Sequence, residues 1–265
     1  MPIHITHEEL AFLSRLIGNP HLRGLPLELS DDPAQTAALL TAAEASLRAR
    51  GWVRQNEDVI SIEKTVLDAV VFLATAPLVF GIRRTPLGGA TISHLFYLAP
   101  TLKLHLYTDD GVYIIDAYTS EGFDAAMYAV RGVDATISDR IRYPLSQIPL
   151  QGFVGLTALA QMKDASREDV LAGLTAQNLN FEGAGTLFDL YRETWRATVN
   201  LSAWMGVDAE IDATRSTLTL LDTRQGWWQI TQPTPDSVEV QPLAEYQVTG
   251  LVDAILEQTF DKSKG

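Results

Sequence analysis

The same succession of elements can be read twice along this 265-residue chain: helices, then antiparallel strands, then a closing helix. Five elements recur in one order, and that restricts the fold more than any single motif. Leu47-Arg48-Ala49-Arg50-Gly51-Trp52 precedes a helix opening Thr65-Val66-Leu67-Asp68, and Leu171-Ala172-Gly173-Leu174 precedes one opening Thr186-Leu187-Phe188-Asp189. Thr101-Leu102-Lys103-Leu104 leads to Gly111, Thr217-Leu218-Thr219-Leu220 leads to Gly226, and each glycine opens an aromatic-rich strand. The expectation is an α+β fold of two related halves, residues 1–138 and 139–265. Each half is an antiparallel sheet flanked by helices, and the pair is disposed about a quasi-two-fold axis. Two unrelated α+β segments can share part of such a pattern, so superposition of the halves is its test.

Local signals place the elements. Thr6-His7-Glu8-Glu9 is a capping box, with Leu10, Leu13 and Ile17 on one face up to Gly18-Asn19-Pro20. Asp31-Asp32-Pro33 opens a second helix with a capping acid and a first-turn proline, and Gly51 stops it. A short hairpin turns around Asn56-Glu57-Asp58, and a third helix is expected over 65–76. Strands are expected at 78–82, 92–98, 102–107 and 111–118, with a hairpin turn at Asp109-Asp110-Gly111. Val112, Tyr113, Ile114 and Ile115 are apolar on both faces, which predicts an inner strand. Ser120 then caps a helix carrying Phe123, Met127 and Val130, and 139–149 reads as a connector. In the second half, helices are expected at 153–163, from the cap Ser166-Arg167-Glu168-Asp169, and over 184–195. Strands at 198–205, 217–221 and 226–231 and a closing helix over 243–260 complete the pattern.

Composition narrows the function. Twenty basic side chains face 33 acidic ones, a net charge of −13, so phosphate backbones are repelled and nucleic acid is an unsuitable partner. The chain has no cysteine, which excludes disulfide scaffolds, thiolate nucleophiles and Cys-ligated zinc. No basic segment followed by an apolar stretch opens the chain, so no signal peptide is read. The longest apolar run, 69–82, would rise only about 21 Å as a helix and is interrupted by Pro77, too short to span a bilayer. A cytoplasmic protein with no membrane insertion is expected.

The residues that carry chemistry find local structural explanations. His4 and His7 sit beside Glu8 and Glu9 but lack the i, i+4 histidine spacing of a zinc helix, so they read as a surface N-terminus. His94 and His105 lie within strands with no identifiable serine or aspartate partner and read as structural. Asp31-Asp32, Asp109-Asp110 and Glu168-Asp169 belong to a cap, a turn and a first turn, rather than to a pair of carboxylates across a cleft. Pro86-Leu87-Gly88-Gly89 and Glu182-Gly183-Ala184-Gly185 lack the Lys-Ser/Thr and third glycine of nucleotide loops. Arg48, Arg50 and Arg54 beside a hairpin suggest a winged-helix DNA reader, but three arginines are too few in so acidic a chain. Trp227 and Trp228 are strand neighbours and point to opposite faces, one toward a core and the other toward a layer junction or a partner. Trp195 and Trp204 read as internal. No catalytic, cofactor-binding or metal-ligating set emerges.

The run from Leu10 through Gly18, with Leu25-Pro26 and then Leu47-Arg48-Ala49-Arg50-Gly51, resembles the opening of the EspG family, cytosolic chaperones of mycobacterial type VII secretion. Phe72-Leu73-Ala74-Thr75-Ala76-Pro77-Leu78 is similar to the segment that leads into that family's first strand, and Asp222-Thr223-Arg224-Gln225-Gly226-Trp227 to its aspartate-threonine turn. The closing helix is similar as well. The resemblance implies an α+β fold with quasi-two-fold symmetry, no enzymatic activity and no cofactor. It also implies a partner protein whose helical tip is held soluble for export. Two departures stand out. The long loop that family members carry between their second and third strands is here reduced to Ala99-Pro100-Thr101, and their late arginine-tyrosine is replaced by Trp227-Trp228. No binding residue transfers. The favoured reading is a non-catalytic, chaperone- or adaptor-like protein that holds an amphipathic helix. The alternatives are an enzyme or small-ligand binder with its pocket between the halves, and the winged-helix DNA reader.

Overall fold

The computed structural model describes residues 2–57, 59–86, 89–123, 145–149, 166, 168–169, 171–172, 185, 195–205, 215–224, 226–243 and 250–251. Helix α1 (His7–Leu16) starts as its capping box dictates: Thr6 Oγ1 accepts from the Glu9 amide at 3.2 Å, and Glu9 Oε2 accepts from the Thr6 amide at 3.0 Å. Helix α2 (Pro33–Ala49) is capped by Asp32, whose Oδ1 accepts from the Ala34 amide, and it ends before Gly51 at φ +74°. A two-stranded wing, β2 (Val53–Asn56) and β3 (Val59–Ile62), leads to α3 (Lys64–Thr75), which is capped by the Glu63 carboxylate.

Among the described residues, ten strands form one antiparallel sheet. They are β1 (Ile3–Ile5), β4 (Leu78–Pro86), β5 (Ile92–Leu98), β6 (Lys103–Asp109), β7 (Val112–Ala117), β8 (Leu145–Pro149), β9 (Trp195–Met205), β10 (Arg215–Thr223), β11 (Gly226–Thr234) and β12 (Ser237–Leu243). Their spatial order is β1-β7-β6-β5-β4-β9-β10-β11-β12-β8. At its centre, β4 and β9 pair over nine register positions, from Leu78 opposite Met205 to Pro86 opposite Ala197. Outward from that pair, each side runs through consecutive strands and ends on a short strand contributed by an earlier segment, β1 on one side and β8 on the other. Short edges offer little template for further pairing.

The strands before and after residue 138 therefore join edge to edge in one sheet, not in the two separate sheets expected. The cause is visible in β4 and β9: each buries apolar residues on both faces, so neither tolerates an edge position. Counted outward from the β4–β9 pair, β10 has the rank of β5, and β6 has that of β11. Thr101–Leu104 and Thr217–Leu220, matched in the sequence, thus belong to strands of different rank.

On one face, α1, α2 and α3 pack against Val79, Leu95, Tyr97, Leu106, Ile115 and Trp204. On the other, Phe80, Ile82, Phe96, Leu201, Leu220 and Trp227 form a second core, against which Phe123 and Leu251 pack. Each fully buried aliphatic or aromatic side chain contributes about 1.5–3 kcal/mol.

Several expectations are corrected. β1, β8 and β12 were not anticipated, because three-residue and proline-bearing strands carry too little alternation to read without their partners. Trp195 begins β9 instead of ending a helix, and Leu243 ends β12 opposite Trp227 instead of opening one. Thr119, not Ser120, supplies the capping hydroxyl, accepting from the Gly122 amide at 2.9 Å. The inner-strand reading of residues 112–115 holds, since β7 lies between β6 and β1. The helices expected over 153–163 and 184–195, apart from Gly185, and most of the closing helix lie outside the described residues.

Candidate functional site

Central strands of a large sheet are ordinarily apolar on both faces. Here the face that carries Val79 and Trp204 changes character along the central strands. Ser93, Arg83 and Asn200 are register partners across β5, β4 and β9, so they stand side by side, strands about 4.8 Å apart. Thr219 continues the row on β10, and its Oγ1 donates to Asn200 Oδ1 at 2.9 Å. In the next row Ser202 Oγ and Thr217 Oγ1 are 3.4 Å apart. This polar floor opens into a cavity of about 650 Å³, walled by Leu95, Trp204 and the 21–28 loop.

The walls are fixed by close approach. A Cβ on Gly81 would stand 2.9 Å from Leu95 Cδ2 and 3.0 Å from Trp204 Cζ3, and one on Gly24 would meet the same two side chains at 2.9 and 3.1 Å. Glycine lets the strand and the loop press on the indole together. The loop is tied down by Tyr97, whose buried hydroxyl donates to the Arg23 carbonyl at 2.9 Å, and by Arg23, which donates to the Ala76 carbonyl. Burial pushes the Tyr97 hydroxyl pKa well up, so it stays a donor.

The acidic groups have structural work. Asp222 is 1% exposed; Oδ2 accepts from Arg84 Nη2 at 2.6 Å, and Oδ1 accepts from Arg196 Nε at 3.0 Å and Nη2 at 2.6 Å. The aspartate of the Asp222-Thr223 turn thus fastens β10 across β9 to β4, while Thr223 Oγ1 donates to the Gly226 carbonyl. Glu9, also buried, accepts from Ser46 Oγ at 2.7 Å and Arg50 Nη1 at 2.8 Å, joining α1 to α2. Asp110 (φ 46°) and Gly111 (φ 78°) form the hairpin turn. Ser166 Oγ accepts from the Asp169 amide, and Glu168 is exposed.

The histidines separate. His4 lies on β1, with its carbonyl accepting from Arg50, and His7 reaches the Tyr113 hydroxyl and the Glu28 carbonyl. His94 and His105 come together on the far face of the sheet, Nδ1 to Nε2 at 3.0 Å, with His105 stacked on Phe96 at 4.4 Å between ring centres. Burial and then the neighbouring His94 push His105 down to about 4, with Asp116 opposing, and burial lowers His94 too. Among the described residues no group of three His, Asp or Glu side chains is arranged to hold a metal. No described helix is long and apolar enough to cross a membrane.

Arg48 is bound to Glu44 and Gln55, and Arg50 to Glu9 with its guanidinium 3.5 Å above the Trp52 ring. Trp227 and Trp228 are both buried, so the sheet is covered on both faces there and neither indole is a surface feature. Gly88 and Gly183 lie outside the described residues. Sequence reasoning missed the Ser93–Arg83–Asn200 row. Its signal was available in Asn200, an amide between Val199 and Leu201 in the middle of a long strand.

No protein-family model and no curated protein matches the sequence. Among solved structures, the fold is similar to that of the Mycobacterium tuberculosis type VII secretion system chaperone EspG5, determined in complex with a PE25-PPE41 dimer. The two share 15% identity and a TM-score of 0.55, over 97% of this chain and 96% of EspG5.

Proposed function

We propose that this chain is a non-catalytic, chaperone-like protein that binds a helical segment of a partner protein in the cytoplasm. The observation that carries the reading is the extent of the likeness: nearly the whole of this chain corresponds to nearly the whole of a chaperone seen holding a protein dimer. Two features give further support. Buried Asp222 and Glu9 are engaged in structural ion pairs, and the paired histidines adjoin an aromatic core.

The same proposal takes residues 1–138 and 139–265 as two related halves about a pseudo-two-fold axis at the β4–β9 pair, a reading supported by the matching strand order on either side. A DNA-reading role is disfavoured, because Arg48 and Arg50 are spent on internal contacts and the chain is strongly acidic.

Affinity purification from the native cell, followed by reconstitution with the recovered protein, tests the reading. A stoichiometric complex with a helical partner is the expected result. Recovery of no partner, together with turnover of a small molecule, would overturn it.

A further inference from the structure

The floor of the central cavity carries one cation, Arg83, beside Asn200 and Ser93. Arg83 is exposed at the cavity, and its guanidinium, which offers five N–H groups and makes no hydrogen bond or ion pair with the described residues, also acts on the Tyr113 hydroxyl through its charge. Asn200 has its carbonyl occupied by Thr219, which leaves its amide hydrogens as what it presents to a ligand. Ser93 adds a hydroxyl in the same cross-strand row. A cation, an amide and a hydroxyl on register-paired residues of three neighbouring strands match the planar oxygens of a carboxylate, which Arg binds bidentately. Beside them, Leu25, Leu95 and Trp204 supply apolar wall, and the volume of about 650 Å³ suits a metabolite-sized molecule. His21 and Glu28 line the same cavity from the loop.

We infer that this cavity binds a small organic carboxylate, its oxygens on Arg83, Asn200 and Ser93 and its apolar body against Leu95 and Trp204. The site lies where β4 and β9 meet, so both sides of the sheet contribute to it. It is a ligand site independent of any protein partner, and it stands or falls separately from the chaperone reading.

The test uses the full chain and three probes of one shape: phenylacetate, phenylacetamide and phenethylamine, titrated by calorimetry and ligand-observed NMR. Phenylacetate is expected to bind in the millimolar range or tighter, with the neutral amide about tenfold weaker and the amine undetectable. Arg83→Gln reduces phenylacetate binding about tenfold or more, whereas Arg54→Gln, the same charge change on the exposed wing, leaves it unaltered. Asn200→Asp keeps the acceptor for Thr219 but removes the amide donors, so it abolishes binding while the fold is retained. Equal binding of all three probes, no binding of any, or indifference to both Arg83→Gln and Asn200→Asp overturns the inference.

Discussion

Replacing Asp222 by Asn removes one charge while keeping the side chain's shape. The carboxylate is 1% exposed and accepts three hydrogen bonds of 2.6–3.0 Å from two guanidinium groups, Arg84 at 12% exposure and Arg196 at 25%. At an effective dielectric of about 20, each pair at about 4 Å between charge centres is worth roughly 4 kcal/mol, most of it offset by desolvation. Breaking such a buried arrangement from one side costs about 3–5 kcal/mol, because the guanidinium left behind stays desolvated. Arg196 is open enough to regain water, so the lower figure applies, about 3 kcal/mol. In a chain of this size that corresponds to a Tm lower by about 6–12 °C. Urea unfolding of wild type and Asp222→Asn, followed by tryptophan fluorescence and circular dichroism, measures it. A loss below about 1 kcal/mol would show that the triad does not hold β4, β9 and β10 together.

Three further outcomes are expected. His105 is held neutral down to about pH 4, against about 6.5 in the unfolded chain, so its contribution is complete above 6.5 and is lost as pH falls toward 4. The full interval corresponds to about 3 kcal/mol, and partial exposure of the ring scales this to roughly 1 kcal/mol. The stability difference between wild type and His105→Phe, followed from pH 7 to 4, should shift by that amount in favour of the variant, and a constant difference refutes it. Gly81→Ala forces a methyl group to within 2.9 Å of Leu95 and 3.0 Å of Trp204, so a loss of about 1–3 kcal/mol and a changed Trp204 environment are expected in unfolding and fluorescence measurements. Val59 and Ile60 are 67% and 43% exposed on the wing, so Val59→Ser with Ile60→Ser should change stability by less than about 0.5 kcal/mol in urea titrations.

What could be read in the sequence was local. Thr6-His7-Glu8-Glu9 and Asp32-Pro33 state their helix starts because the capping partners lie within three residues, and Asp110-Gly111 states its turn for the same reason. β5 was placed at its observed bounds because seven residues of β-branched and aromatic character suffice. β1, β8 and β12 depend on partners far along the chain, so their short runs carried no self-sufficient signal. Trp227 and Trp228 were correctly sent to opposite faces, but that both faces are covered there is a tertiary fact. The cavity was hidden for the same reason: Arg83 and Asn200 become neighbours only when β4 pairs with β9. Asp222 illustrates the converse, a residue noticed in a turn whose role is set by arginines on two other strands.

Co-expression of the chain with the protein recovered from its native cell is the most direct trial of a holding function. A partner that aggregates alone and elutes, when co-produced, as a defined complex heavier than the 29.1 kDa chain by its own mass is the predicted result. A partner equally soluble without the chain, or one that never co-elutes with it, would contradict a chaperone-like role.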